Sequence, residues 1–444
     1  MSGVCAPSRN GPRGSHPAGF AATLLFVLGA AAGESNGHKT ADAAARVAKL
    51  RSATGICPEL EVPPGSAPWS RVCSLEHPLC VCASPSSPGS EQLEIMDATD
   101  RAWDALVAVL GVPAPERGFE GKWNLYLSEQ VKGGGRAQLV ALDPWTRFER
   151  GVSYASIDRS ARGCALEIAA ARAVAQGSLL AAAPSTPAGL GLAESEQLAR
   201  LATPCAASEE AMAAFQSEPE RTLVDGTSPD FARGAAAFFE WLDATFARSP
   251  GALVPALWAL TPTSASADSS AHQAGATAFD VLATSLRGAL ASDSTLDEVF
   301  VGFAVARASA WPPVQFAWDL PWPTRARRLV APTPVSPTGA SYIEISHAGA
   351  PPGARMRLEM EWEDYARMRW VALKFDGRGA VLAQIHVTSP DRATQAALTL
   401  EGLDGIDRVV MVGVNVGSTE HKFSPAQGEW EPHGWLLTIE GLAP

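Results

Sequence analysis

A chain of 444 residues with a formal charge of −12 carries no electrostatic footprint for nucleic acid or for an anionic membrane surface. With 46 % hydrophobic and 18 % charged residues it has the apolar mass for a sizeable core, and its length corresponds to two or three domains. No G-x-S-x-G, Walker or C-x-x-C motif occurs, and between His77 and His347 only His272 is found, so the helical zinc motif H-E-x-x-H is excluded from that span.

Residues 1–33 read as a secretory signal. Arg9 and Arg13 form a positive segment, 18–29 an apolar one, and 30–32 a small-residue cleavage site. The apolar run is shorter than the ~20 residues that span a bilayer. No Cys follows it, so no lipid anchor is indicated. Cys5 leaves with the signal. Cys57, Cys73, Cys80, Cys82, Cys164 and Cys205 remain, and export favours disulfides. The pair Cys164–Cys205 is favoured, because the four N-terminal cysteines lie close enough in sequence to pair among themselves. A metal site from Cys73, Cys80, Cys82 and His77 competes, without the paired C-x-x-C spacing of structural zinc.

Residues 34–92 are expected to be a Cys-, Pro- and Ser-rich irregular strap, or equally a tether, with one short helix at 40–50. Helical periodicity dominates 93–310. An amphipathic helix is expected over 95–110, with Trp103, Leu106 and Leu110 on one face and Gly111 and Pro113 beyond its end. Strands are expected at 123–127, 137–142 and 152–157, with a glycine turn at 133–135. Next, 158–180 reads as a helix whose side chains are nearly all small, which lets neighbours approach closely and marks it as central. Gly189–Gly191 reads as a loop; with no strand feeding it, it is no dinucleotide fingerprint. Further helices are expected at 194–201, 231–246, 252–260 (closed by Pro262), 279–290 and 295–308. The last is opened by the capping-box pair Thr295 and Glu298. Residues 261–277 read as a mobile Ser/Ala/Thr-rich loop.

The Pro/Trp-rich stretch 311–332 reads as a linker lying against a domain. From 333 to 444 the period is two. Strands are expected at 341–346, 355–362, 371–375, 380–387, 394–400, 408–416 and 436–440. Within 355–362, Met356, Leu358, Met360 and Trp362 face inward. Short strands with turn signals and little helix predict an antiparallel β-sandwich. The fold class is therefore α+β: an α-rich domain followed by that sandwich.

The order of elements over 93–310, followed by a sandwich, resembles the secreted zinc metallopeptidases of the gluzincin type. In those the long helix carries H-E-x-x-H. In that register the segment 169–176, AAARAVAQ, has Ala169 and Ala173 in place of the two histidine ligands and Ala170 in place of the general base. Glu196, on the next helix, matches the third ligand. One carboxylate cannot hold zinc or activate water. The resemblance thus implies a vestigial site with no metal, no cofactor and no catalytic residue, filled by small side chains. The expectation is an exported pseudopeptidase, periplasmic or extracellular, with a binding or structural role. Its partner is expected to be an extracellular protein or glycan, not nucleic acid and, after signal removal, not a membrane.

Two other readings stand beside it. The C-terminal sandwich is a candidate carbohydrate- or protein-binding module, with Trp362, Trp370, Trp430 and Trp435 as aromatic candidates. Within 429–435, EWEPHGW, the set Trp430, Glu431 and His433 is a candidate binding site; core packing and a solvated loop cap are the plain alternatives. A hydrolase with an unfamiliar site would use Glu196, Glu240 and Asp243 as acid–base carboxylates, although nothing in their spacing brings them together. The lining of the largest helical cleft separates these readings: alanine and leucine for an emptied site, convergent His, Asp or Glu for an enzyme. A nitrogen donor such as His272 within reach of Glu196 would overturn the non-catalytic one.

Overall fold

The computed structural model describes residues 70–444 apart from 85–86, 88, 117–120, 129–133, 143–150, 185, 206–207, 248, 265–277, 288–291, 390–392 and 418–430. The expected signal, the helix at 40–50, Cys57, His272 and Trp430 lie outside the described residues. All described residues fall within one unit, Lys49–Pro444.

Short, largely buried strands build the first sheet. Strand β1 (Ser70–Cys73) and β2 (Leu79–Ala83) form a hairpin clamped by the Cys73–Cys80 disulfide. Helix α1 (Gly89–Trp103) returns the chain to β3 (Trp123–Ser128), parallel to β2. Strand β4 (Gly135–Leu142) then runs antiparallel along the edge, and β5 (Gly151–Asp158) inserts between β4 and β3, parallel to the latter. The order is β1-β2-β3-β5-β4. Its central strands read LCVCA and WNLYLS and are buried almost throughout, as a parallel sheet covered on both faces requires.

The helix expected over 95–110 changes type part-way. It is α-helical to Trp103 and π-helical over Asp104–Val109, and the Leu110 N–H reaches back to the Ala105 carbonyl at 3.0 Å. Gly111, at φ +72°, ends it with the left-handed residue that helix termini favour.

Helix α2 (Cys164–Ala182) crosses β4 and β5. Every residue from Ala169 to Leu179 is buried, as expected of a helix that is apolar all round. Among the described residues it is the one helix long and apolar enough to cross a membrane, and protein encloses its middle turns. Two glycines set its approach to the sheet. A Cβ on Gly135 would stand 1.9 Å from the Ala169 carbonyl oxygen, and one on Gly177 would stand 2.7 Å from the Trp123 ring.

Helix α3 (Ala188–Ala202) starts earlier than expected: Gly189–Gly191, read as loop, is its first turn. Gly191 lies against Leu179 of α2, so the glycines serve helix–helix contact. The Cys164–Cys205 disulfide ties the start of α2 to the chain just beyond α3, as expected. Helix α4 (Glu209–Ser217) was not expected. Its signal is present in the Ser208 hydroxyl, which accepts the Ala211 N–H at 3.2 Å, and in the acidic first turn. The single helix expected over 231–246 is two, α5 (Pro229–Gly234) and α6 (Ala236–Phe246). The break falls where Gly234 sits on the Ala211 carbonyl, leaving no room for a Cβ. Helix α7 (Leu253–Ser264) runs past Pro262 rather than closing at it. Helices α8 (Ala278–Arg287) and α9 (Leu296–Arg307) complete the layer, α9 with both halves of its capping box made. Phe238 anchors this core, meeting Phe239, Phe279, Phe300 and Phe303 at 5.1–6.0 Å.

Two further sheets follow. The stretch 311–332 contributes strands to both: β6 (Trp318–Leu320) pairs parallel with β8 (Ala340–Ser346), and β7 (Arg327–Val330) pairs with β14 (Trp435–Leu442). With β9 (Arg355–Trp362), β10 (Met368–Phe375), β11 (Val381–His386), β12 (Gln395–Leu400) and β13 (Arg408–Asn415), the orders are β11-β10-β13-β8-β6 and β12-β9-β14-β7. Ile343, Met356, Leu358, Met360, Met411 and Leu437 share one apolar cluster between the sheets. The opposite face of the five-stranded sheet belongs to the helical core, through Tyr342, Val371, Leu373, Val410, Val412 and Val414. The Tyr342 hydroxyl donates to the Ala304 carbonyl of α9 at 2.9 Å. Strands β10 and β13 are therefore buried on both faces.

Candidate functional site

Ala169, Ala170 and Ala173 occupy the buried middle of α2, and Glu196 the buried middle of α3. Arg172 is the one charged residue of α2 after Glu167, and it is buried too. A guanidinium there requires a carboxylate, and Glu196 supplies it. Arg172 Nη2 donates to Glu196 Oε1 at 2.9 Å while Nε donates to Oε2, a two-pronged fork. Arg200, one turn after Glu196, brings its Nε to 3.5 Å from Oε1. Gly134 lies beside both Arg172 and Arg233. Burial first, and then the Arg172 charge, push the Arg233 guanidinium below its ordinary pKa, with Glu196 opposing.

The expectation of a space filled only by small side chains is thus corrected. The alanines pack closely, but the carboxylate matched to a metal ligand is held by Arg172. The signal was a lone arginine in an otherwise uncharged alanine run, a residue that has to find a partner. One turn further, Gln176 Oε1 accepts the Ala137 N–H at 2.9 Å and ties α2 to the edge strand β4.

Glu194 is fully buried, and neither carboxyl oxygen has a hydrogen-bond partner. Burial pushes its pKa up to about 8; the nearby Trp258 indole N–H, outside hydrogen-bond geometry, opposes this by less. It is an acid held protonated at neutral pH. No motif or spacing singles it out in the sequence, where the candidate carboxylates are Glu196, Glu240 and Asp243. Of those, Glu240 is exposed and lies 3.5 Å from Arg200. Asp243 accepts the N–H groups of Gly251 at 2.5 Å and Leu253 at 3.1 Å, which fixes the entry to α7. A cleft of about 460 Å³ between α3 and α6 is lined by Gln197, Arg200, Leu201, Glu240 and Asp243 among others. Charged and polar groups share its lining with Leu201, Ala244, Ala247 and Pro250, and the apolar share is the larger. Among the described residues its lining includes no histidine, and both carboxylates already have partners within the chain.

In the C-terminal sheets Trp362, Trp370 and Trp435 are buried, the last two meeting edge to face at 5.7 Å. Their rings belong to the core. His433 is buried with Nδ1 3.2 Å from Glu363 Oε2, and its backbone pairs with Val335. Glu431 is exposed. The carboxylate beside His433 is Glu363, which lies distant in sequence, rather than Glu431. Cys73 and Cys80 are paired, and Cys82 is disulfide-bonded as well, so none of these thiols is left for a metal.

No family model matches this chain, and no curated protein matches it. Among solved structures it is similar to the pre-peptidase C-terminal domain of a collagenase from Bacillus anthracis, at 6 % identity and a TM-score of 0.19, covering 28 % of this chain and 97 % of that one. It is also similar to the enzymatically active domain of tailspike protein 4 of bacteriophage CBA120, at 10 % identity and a TM-score of 0.17, covering 26 % of this chain and 17 % of that one. Scores this low do not place the fold.

Proposed function

We propose that this chain is an exported, non-catalytic scaffold. Its helical part is peptidase-like with an internal ion pair where a metal site would stand, and its C-terminal sheets form an antiparallel β-sandwich. The observation that carries this reading is the forked Arg172–Glu196 pair. A carboxylate with both oxygens engaged by one guanidinium, and a second guanidinium 3.5 Å away, offers no site for a dication. Arginine stays charged at any physiological pH, so the pair does not release Glu196. Alanine at 169, 170 and 173 provides neither ligand nor base. The disulfides support an oxidising compartment and hence export. The role is to bind or to brace, with an extracellular protein or glycan as partner.

The test is turnover. The purified protein, given Zn²⁺ together with denatured casein or a fluorogenic peptide mixture, is expected to hydrolyse nothing above the buffer rate. Hydrolysis that vanished both with chelator and in Glu196→Gln would overturn the proposal.

A further inference from the structure

We infer that the disulfide-clamped turn between β1 and β2, together with the π-helical end of α1, forms a divalent-cation site whose protein ligands are Glu76, His77 and Asp104. One ligand atom from each residue lies within 4.8 Å of the others. Ligands on opposite sides of a single ion stand about 4–5 Å apart at the bond lengths of Zn²⁺ or Ca²⁺, so the three reach one centre.

The imidazole carries the argument beyond a group of surface acids. His77 Nε2 lies 3.0 Å from Asp104 Oδ1, yet it is shielded from solvent and makes no hydrogen bond of acceptable geometry. Two atoms bound at about 2.1 Å to one tetrahedral ion stand roughly 3.4 Å apart, so a shift of a few tenths of an ångström brings this pair onto a shared ion. Asp100, one turn before Asp104, also has a shielded oxygen, Oδ1, with no hydrogen-bond partner, although Ser74 hydrogen-bonds its carboxyl group.

The scaffold fixes these donors. The Cys73–Cys80 bridge closes the turn, and the Ser74 hydroxyl accepts the N–H groups of Glu76 and His77, each at 3.1 Å. The His77 ring stacks on Trp103 with centroids 5.7 Å apart. Asp104 opens the π-helical segment, a local distortion frequent at functional sites. Asp104 is exposed, which leaves room for water in the remaining positions. One nitrogen with two carboxylates suits Zn²⁺ or a similar first-row dication better than Ca²⁺ or Mg²⁺, which prefer all-oxygen shells. The competing cysteine set is spent in disulfides, and of that set His77 alone keeps a metal role. The site shares no residue with the Arg172–Glu196 pair.

Calorimetric titration of the full, oxidised chain with ZnCl₂ and, separately, CaCl₂ tests this. One Zn²⁺ per chain is expected, bound at least tenfold more tightly than Ca²⁺. His77→Gln and Asp104→Asn should each weaken Zn²⁺ at least tenfold with unchanged circular dichroism, and Arg172→Met combined with Glu196→Met should leave it unchanged. Absence of Zn²⁺ binding at millimolar concentration, or binding that survives His77→Gln, overturns the site. Binding lost in that double variant, with its circular dichroism unchanged, but kept in His77→Gln overturns the proposed function as well.

Discussion

Arg172 and Glu196 hold opposite charges away from water, and the energetics of such a pair are asymmetric. Removing one partner strands the other, at about 3–5 kcal/mol, whereas replacing both with apolar side chains of similar size is close to neutral. Arg172→Met is therefore expected to lower stability by about 3–5 kcal/mol, and Arg172→Met combined with Glu196→Met to recover most of it. Urea unfolding of the four proteins of this cycle measures the coupling; additive losses would show that the pair contributes nothing as a pair. Glu194 gives a second expectation. The unfolded chain releases this proton near 4.5 and the folded chain near about 8. Between those values the folded state binds the extra proton, so stability falls as pH rises through the window and levels off above it, by up to about 1.4 kcal/mol per pH unit. Glu194→Gln should flatten that slope in urea titrations at pH 5, 6.5 and 8; an unchanged slope would assign it to other groups. Glu196 was legible as an interesting carboxylate and the alanines as close packers. Arg172 stood in plain view, but its partner lies 24 residues away, and a contact of that kind is written in packing rather than in spacing.

At the scale of elements, spacing served well where one face meets water. Strand β9 alternates as its sequence RMRLEMEW predicts, because one side of it is exposed. Legibility dropped where neighbours decide. The break between α5 and α6 and the early start of α3 coincide with close glycine contacts to other elements that no local pattern records, and the π-helical end of α1 has no structural explanation. The glycines at these contacts make a direct comparison. Gly135→Ala places a methyl 1.9 Å from the Ala169 carbonyl oxygen. It should cost at least about 1–3 kcal/mol, since neither strand nor helix can retreat without unpacking the other. Gly89→Ala, at the open start of α1 with nothing within 4 Å of the added methyl, should be neutral or stabilising by up to about 1 kcal/mol. Thermal melts of the two variants decide; equal shifts would mean that the helix–sheet contact is soft.

Across the whole molecule, the five-stranded sheet is shared. The continuous apolar run RVVMVGVN of β13 differs from the alternating β9 because helices cover one of its faces and the second sheet covers the other. The sequence marks that difference, but it does not say which element does the covering. Residues 316–444 expressed alone, with β6 and β7 kept, would bare Tyr342, Val371, Leu373, Val410 and Val412, a contiguous apolar surface. The fragment should self-associate and bind a hydrophobic dye; a monomeric, dye-silent fragment would show that the sheets fold independently of the helices.

That shared sheet also gives biosynthesis an awkward interval. The helices through Arg307 leave the ribosome before the strands up to Asn415 that cover them, a delay of roughly 100 residues, or about 5–20 s at ordinary elongation rates. For that time the nascent helical layer has to remain uncommitted or be shielded by a chaperone, and its final packing waits on residues translated last.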